Sequence, residues 1–101
     1  MTMDIKIEKK ETECVITIVG RLDTVNAATL QKQLDALTDA EAVHVVIDCG
    51  GLEYISSSGL RAFISILKRA RKNGGEVKVL NLNSNVKEVF DMTNFSALFG
   101  L

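Results

Sequence analysis

Proline and tryptophan are both missing from this 101-residue chain, and it holds only one tyrosine, one histidine and two cysteines. Each shortage excludes something. With no proline, no low-complexity run and no internal repeat, nothing marks a linker between domains. Cys14, Cys49 and His44 are too few and too irregularly spaced for a zinc site, and one possible bridge does not make a secreted disulfide scaffold. The four phenylalanines fall in apolar stripes, so basic residues interleaved with aromatics, the usual mark of nucleic-acid recognition, are lacking. A formal net charge of −1 points the same way. No apolar run approaches the roughly 20 residues of a membrane span. The start, Met1-Thr2-Met3-Asp4-Ile5-Lys6, alternates polar and apolar at once and reads as neither signal nor transit peptide. These absences predict a cytoplasmic protein with no membrane or nucleic-acid partner.

What is present fits one domain spanning residues 1–101. The composition, 47% apolar and 25% charged, is that of a globular protein. A chain of this length buries roughly two-thirds of its unfolded surface, enough to fold without staples. Charge is unevenly placed: residues 1–60 carry a balance of −5, residues 61–78 of +5 and residues 79–101 of −1. The basic stretch, Arg61, Lys68, Arg69, Arg71, Lys72 and Lys78, reads first as a solvated helix face and second as a docking surface.

Periodicity supplies the elements. Met3–Glu8 alternates with period two and predicts a half-buried strand, followed by a polar turn at Lys9–Glu13 and a more apolar strand over Cys14–Val19 ended by Gly20. Ala27, Leu30, Leu34 and Leu37 share one helix face within Thr24–Leu37, with Asp23 or Thr24 as the cap. Val43–Ile47 is apolar on nearly both faces, as a central parallel strand should be, and Asp48-Cys49-Gly50-Gly51 reads as its end. A connection over Leu52–Ser57 then leads to a helix over Ser58–Lys72, with Leu60, Phe63, Ile64 and Leu67 as its buried stripe, stopped by Asn73-Gly74-Gly75. Val77–Leu82 predicts a fourth strand, Ser84 or Asn85 caps a short helix, and the apolar tail with Phe95, Leu98 and Phe99 should dock on the core. The order β-β-α-β-α-β-α predicts an α/β fold, a mixed sheet with helices mainly on one face.

The stretch Tyr54-Ile55-Ser56-Ser57-Ser58-Gly59-Leu60 stands out, because three hydroxyls and a glycine fall at the entry to a helix. In open α/β sheets this is the edge where ligands bind. One serine acting as cap and the others as spacers would account for it without function. A phosphoacceptor serine is the functional alternative, since a phosphate there adds about −1.5 to −2 charge units beside the positive helix end. Catalysis fits poorly. A nucleophilic serine needs a base within reach, His44 lies inside the central strand, and the segment does not match Gly-x-Ser-x-Gly. Gly50-Gly51 and Gly74-Gly75 match no phosphate-binding motif, so neither enzyme activity nor a cofactor is expected.

Val46-Ile47-Asp48 followed by Leu52-Glu53-Tyr54-Ile55-Ser56-Ser57-Ser58-Gly59-Leu60, together with Gly20-Arg21-Leu22-Asp23, resembles the two motifs of STAS domains, in particular bacterial anti-sigma factor antagonists. The resemblance runs over essentially the whole chain. It implies a partner-switching protein that binds an ATP-using anti-sigma factor serine kinase, frees the sigma factor, and is released when the kinase phosphorylates it. A phosphatase resets the cycle. By position the phosphoacceptor is Ser58, with Ser57, Asp23, Ser56 and Gly59 around it and Asp48 closing the central strand. Arg61, Lys68 and Leu60 on the following helix are the expected partner contacts, and the free protein is expected to be a monomer. The chain departs from the family pattern in having Ser56 where Asp is usual, which removes a carboxylate beside the acceptor. That departure leaves a second reading open, a STAS domain that is never phosphorylated and serves as a scaffold in a larger signalling assembly.

Overall fold

The computed structural model describes residues 3–101; Met1 and Thr2, which the sequence reading includes in the N-terminal segment, lie outside the described residues. The elements are β1 (Met3–Lys9), β2 (Cys14–Leu22), α1 (Thr24–Asp35), β3 (His44–Ile55), α2 (Ser57–Lys72), β4 (Glu76–Leu80), α3 (Ser84–Met92) and α4 (Phe95–Leu98). The strands form one mixed sheet in the order β1-β2-β3-β4. A hairpin makes β1 and β2 antiparallel, while β2, β3 and β4 are parallel, as crossover helices require.

Alternation decides which face is covered. Cys14, Ile16 and Ile18 of β2, Val45, Ile47 and Cys49 of β3, and Val77 and Val79 of β4 all point to one side and are buried. The helices lie there, with Leu30 and Leu34 of α1, Phe63, Ile66 and Leu67 of α2, and Val86 and Phe90 of α3 completing a single core. Phe63, Phe90 and Phe99 meet edge to face, with centroids 5.7–6.3 Å apart, so the tail forms α4 and docks through Phe99 and in part Phe95, while Leu98 is exposed. The opposite face, with Val15, Thr17, Val46 and Lys78, is half-buried to exposed.

Several boundaries differ from the sequence reading. β3 does not end at Asp48-Cys49-Gly50-Gly51 but runs on to Ile55, and β2 runs past Gly20 to Leu22. The glycine pair is interior to the strand. A Cβ at Gly51 would lie 2.8 Å from Cγ2 of Val19, next to the register shift between Thr17 and Val19. β4 stops at Leu80, where Asn81 turns left-handed (φ 62°) and its side-chain amide donates to Asp48 at 3.1 Å. The cap of α3 is Asn83, not Ser84 or Asn85, and its own amide also donates to Leu52 O at 2.8 Å. The stop after α2 is as expected. Gly74 N–H donates to Arg71 O and Gly75 N–H to Ala70 O, a paired closure that uses the positive φ of Gly74.

Candidate functional site

The extensions of β2 and β3 build the site. Their last paired residues are Leu22 and Ile55, and each strand passes directly into a helix. Asp23 caps α1, its Oδ1 accepting from Asn26 N at 2.8 Å. Ser56 caps α2, its Oγ accepting from Gly59 N at 3.1 Å, and Ser56 N–H donates to Leu22 O at 2.9 Å. Two helix N-termini therefore lie side by side at the carboxyl edge of the parallel strands, and neither first turn contains an acidic residue. Their unpaired amides put partial positive charge at this edge, offset at the start of α1 by the Asp23 carboxylate. The Asn26 side-chain amide donates to Arg21 O at 2.8 Å and holds the turn between β2 and α1 closed.

Gly59 sets how closely α2 approaches the sheet. A Cβ there would lie 2.8 Å from Leu22 Cδ2 and 2.9 Å from Ile55 Cγ1, both on buried side chains. The glycine lets the first turn of α2 rest on the strand ends, which places Ser58 against α1. A groove of about 230 Å³ runs between the two helices, lined by Thr24, Ala27, Ala28 and Gln31 of α1 and by Ser58, Arg61 and Ala62 of α2. Gln31 donates to Ser65 Oγ at 3.3 Å farther along, tying the helices together.

The three serines have different surroundings. Ser56 is half-buried and engaged as the cap; Ser57 is exposed; Ser58 is half-buried on the groove wall. Among the described residues the hydroxyls of Ser57 and Ser58 have no hydrogen-bond partner. Asp23 and Ser56 are brought together by the strand pairing, and Gly59 lies beneath them. His44 is at the opposite end of the 12-residue β3, so it is no base for these serines. The thiols are equally remote from such a role: both are buried, and burial pushes Cys49 up to about 12 and raises Cys14 as well.

The basic stretch divides in two. Arg69 donates to Leu34 O at 3.0 Å and to Leu37 O, and pairs with Asp39 at 3.1 Å, clamping the end of α1. Arg71 donates to Leu98 O at 2.8 Å and holds the tail. Arg61, Lys68 and Lys72 are exposed and form no ion pair among the described residues. Leu60 requires a correction: at 3% exposure it belongs to the core and is unavailable as a partner contact, because its position on α2 faces the sheet. The sequence pattern does not show the α1 wall of the groove, since Ala27 reads only as core and Gln31 belongs to no motif. Nor does it show Arg21 stacked on Tyr54, 4.3 Å from the ring centroid, because the glycines at 20 and 50–51 read as strand ends ahead of this pair.

Asp48 has a structural role. Its carboxylate accepts from Asn81 Nδ2 and from Gly50 N at 3.0 Å, and these donors hold it below the usual carboxylate range.

A four-stranded mixed sheet with helices on one face and adjoining helix entries at its carboxyl edge defines the class. The STAS domain model matches residues 4–101, and the chain belongs to that family. It is 33% identical over 97 residues to BtrV of Bordetella bronchiseptica, assigned as an anti-sigma factor antagonist, covering 96% of this chain and 84% of the relative. A crystal structure of an anti-sigma factor antagonist from Mycobacterium paratuberculosis superposes with a TM-score of 0.83 at 21% identity, covering 97% of this chain and 83% of that one. The phosphorylated form of the Bacillus cell fate determinant SpoIIAA superposes with a TM-score of 0.76 at 16% identity, over 94% of this chain and 87% of the other. Among the described residues no helix is long and apolar enough to cross a membrane.

Proposed function

We propose that this protein is an anti-sigma factor antagonist: a cytoplasmic regulatory binding protein, monomeric when free, that engages an anti-sigma factor through the edge formed by the two helix entries. The name carried by its relative in Bordetella supports the role. The regulation rests on Ser58. The anti-sigma factor, acting as a serine kinase, transfers the γ-phosphoryl group of ATP to Ser58 Oγ. A new O–P bond forms, the bond from the γ-phosphorus to the bridging oxygen breaks, ADP leaves and the hydroxyl proton is released. The phosphorylated protein separates from its partner, and a phosphatase hydrolyses the ester to restore binding.

One observation carries the choice of Ser58. Ser56 is committed to capping α2 and Ser57, also unpartnered, is not among the groove's lining residues, whereas the Ser58 hydroxyl is unpartnered on the groove wall. A phosphate at this point places about −1.5 to −2 charge units on the docking edge, where it repels an acidic partner surface. Arg61 and Lys68, exposed along the same helix, are the cationic contacts for that surface in the unmodified state.

Binding of the wild-type, Ser58→Ala and Ser58→Asp proteins to the co-purified anti-sigma factor tests the reading. Ser58→Ala should bind whether or not ATP is added, and Ser58→Asp should bind at least tenfold more weakly. Equal binding by all three contradicts charge-controlled release. A second reading is favoured by the uncharged cap at Ser56: a scaffold within a larger assembly, whose complexes are indifferent to ATP and to Ser58→Ala.

A further inference from the structure

We infer that Arg61 is the internal receptor for a phosphate on Ser58, so that phosphorylation both adds negative charge and withdraws the Arg61 donors from the docking surface. This rests on the reading of Ser58 as the phosphoacceptor and concerns what happens to the group once attached.

The geometry comes from helix spacing. Ser58 and Arg61 are three residues apart on α2, on the same face, and both line the groove beside α1. Long side chains on a helix lean back toward its N-terminus, which carries the Arg61 guanidinium over the turn that holds Ser58. An anion N-terminal to a cation is the favourable order for helix pairs one residue wider apart, and agrees with the helix dipole here. At present Arg61 has no competing partner: among the described residues it forms no ion pair, and the α1 wall contributes Thr24, Ala27, Ala28 and Gln31, none of them charged. Among the described residues Arg61 is thus the only ionisable group lining the groove. The groove is open to solvent, so a phosphate on Ser58 and the guanidinium fork can meet at its mouth.

The consequence is a switch with two parts. In the unmodified protein Arg61 projects into solvent and is available to an acidic partner. After phosphorylation the guanidinium donates to the phosphate oxygens, so the charge of the surface falls by the phosphate's own charge and Arg61 no longer offers its donors to the partner. The effect of phosphate on binding therefore combines its charge with the loss of those hydrogen bonds.

The test uses full-length protein carrying phosphoserine incorporated at position 58 during synthesis, so that no kinase is needed. Phosphorus NMR titration of this protein is compared with Arg61→Ala, Arg61→Lys and Lys68→Ala versions, each checked for an unchanged circular dichroism spectrum. The second ionisation of a free phosphoserine falls at about 6. Pairing with Arg61 favours the dianion, so Arg61→Ala should raise the titration midpoint by roughly half a pH unit. Arg61→Lys should raise it by less, and Lys68→Ala should leave it in place. An Arg61→Ala midpoint equal to the wild-type value overturns the inference, as does an equal shift from Lys68→Ala, which would show a diffuse field rather than a specific receptor. Lack of phosphate on Ser58 in the native host would count against the proposed function and leave this result standing; an unmoved midpoint would do the reverse.

Discussion

Replacing Ser56 and Ser58 separately by alanine should split the serine cluster into a structural half and a regulatory half. In Ser56→Ala the Gly59 amide loses its acceptor, and because Gly59 is buried, water replaces that bond poorly. Loss of an N-cap costs about 0.5–2 kcal/mol, and partial burial places this one near 1.5 kcal/mol. For a chain of this size each kcal/mol moves the melting temperature by roughly 4–8 °C, so a fall of about 6–12 °C is expected. Ser58→Ala removes no hydrogen bond among the described residues and substitutes the best helix former, which predicts a change between zero and about +0.5 kcal/mol. Ser56→Asp keeps a capping oxygen and adds charge to the positive helix end, giving stability equal to wild type or up to about 1 kcal/mol greater. Urea denaturation followed by circular dichroism measures all three, with an unchanged slope confirming that the unfolded states are comparable. Equal destabilisation by Ser56→Ala and Ser58→Ala would refute the division of roles.

Other substitutions probe the frame that holds the site. A Cβ at Gly75 would lie 1.8 Å from the backbone oxygen of Val43, so Gly75→Ala should lose at least about 3 kcal/mol or fail to fold, read from soluble yield and urea midpoint. Arg69→Ala removes donors from Leu34 O and Leu37 O and should cost roughly 1–3 kcal/mol, whereas Lys68→Ala on the exposed face should change stability by less than about 0.5 kcal/mol in the same assay. The lowered Asp48 carboxyl contributes stability that is present above the ordinary aspartate range and lost as pH falls through its folded value. Asn81→Gly preserves the left-handed backbone at that position but deletes the amide, so its urea midpoint should fall less steeply with acid than that of the wild type. Parallel acid profiles would show that the amide does not set the Asp48 ionisation.

The sequence pattern carried most of the fold, because alternation and helical spacing are local properties that burial enforces. The stripes through Ile16 and Ile18, Leu30 and Leu34, and Phe63 and Leu67 are all core, while Ile64 is only partly buried. Errors gathered where tertiary pairing overrides local signals. Gly50-Gly51 reads as a strand end in isolation, yet Val19 on the neighbouring strand needs the space that Gly51 leaves. Asn83 caps α3 because Leu52 O offers its amide a second partner, a contact between residues far apart in the chain. At the site, the serine run and Asp23 were legible as helix entries, but their adjacency was not, since it depends on Leu22 pairing with Ile55. Leu60 was legible as core from its place in the apolar stripe with Phe63, Ile64 and Leu67, and the expectation of a partner contact there ran against that stripe. The groove could not be read, since its α1 wall is made of small and uncharged residues that match no motif.

The most direct measurement is intact-mass and peptide mass spectrometry of the protein isolated from its own host under several growth conditions. The account predicts a fraction heavier by one phosphate, mapped to Ser58 and absent from Ser56, and lost in a Ser58→Ala strain. Protein that stays unmodified under every condition, or carries its phosphate on another residue, would contradict it.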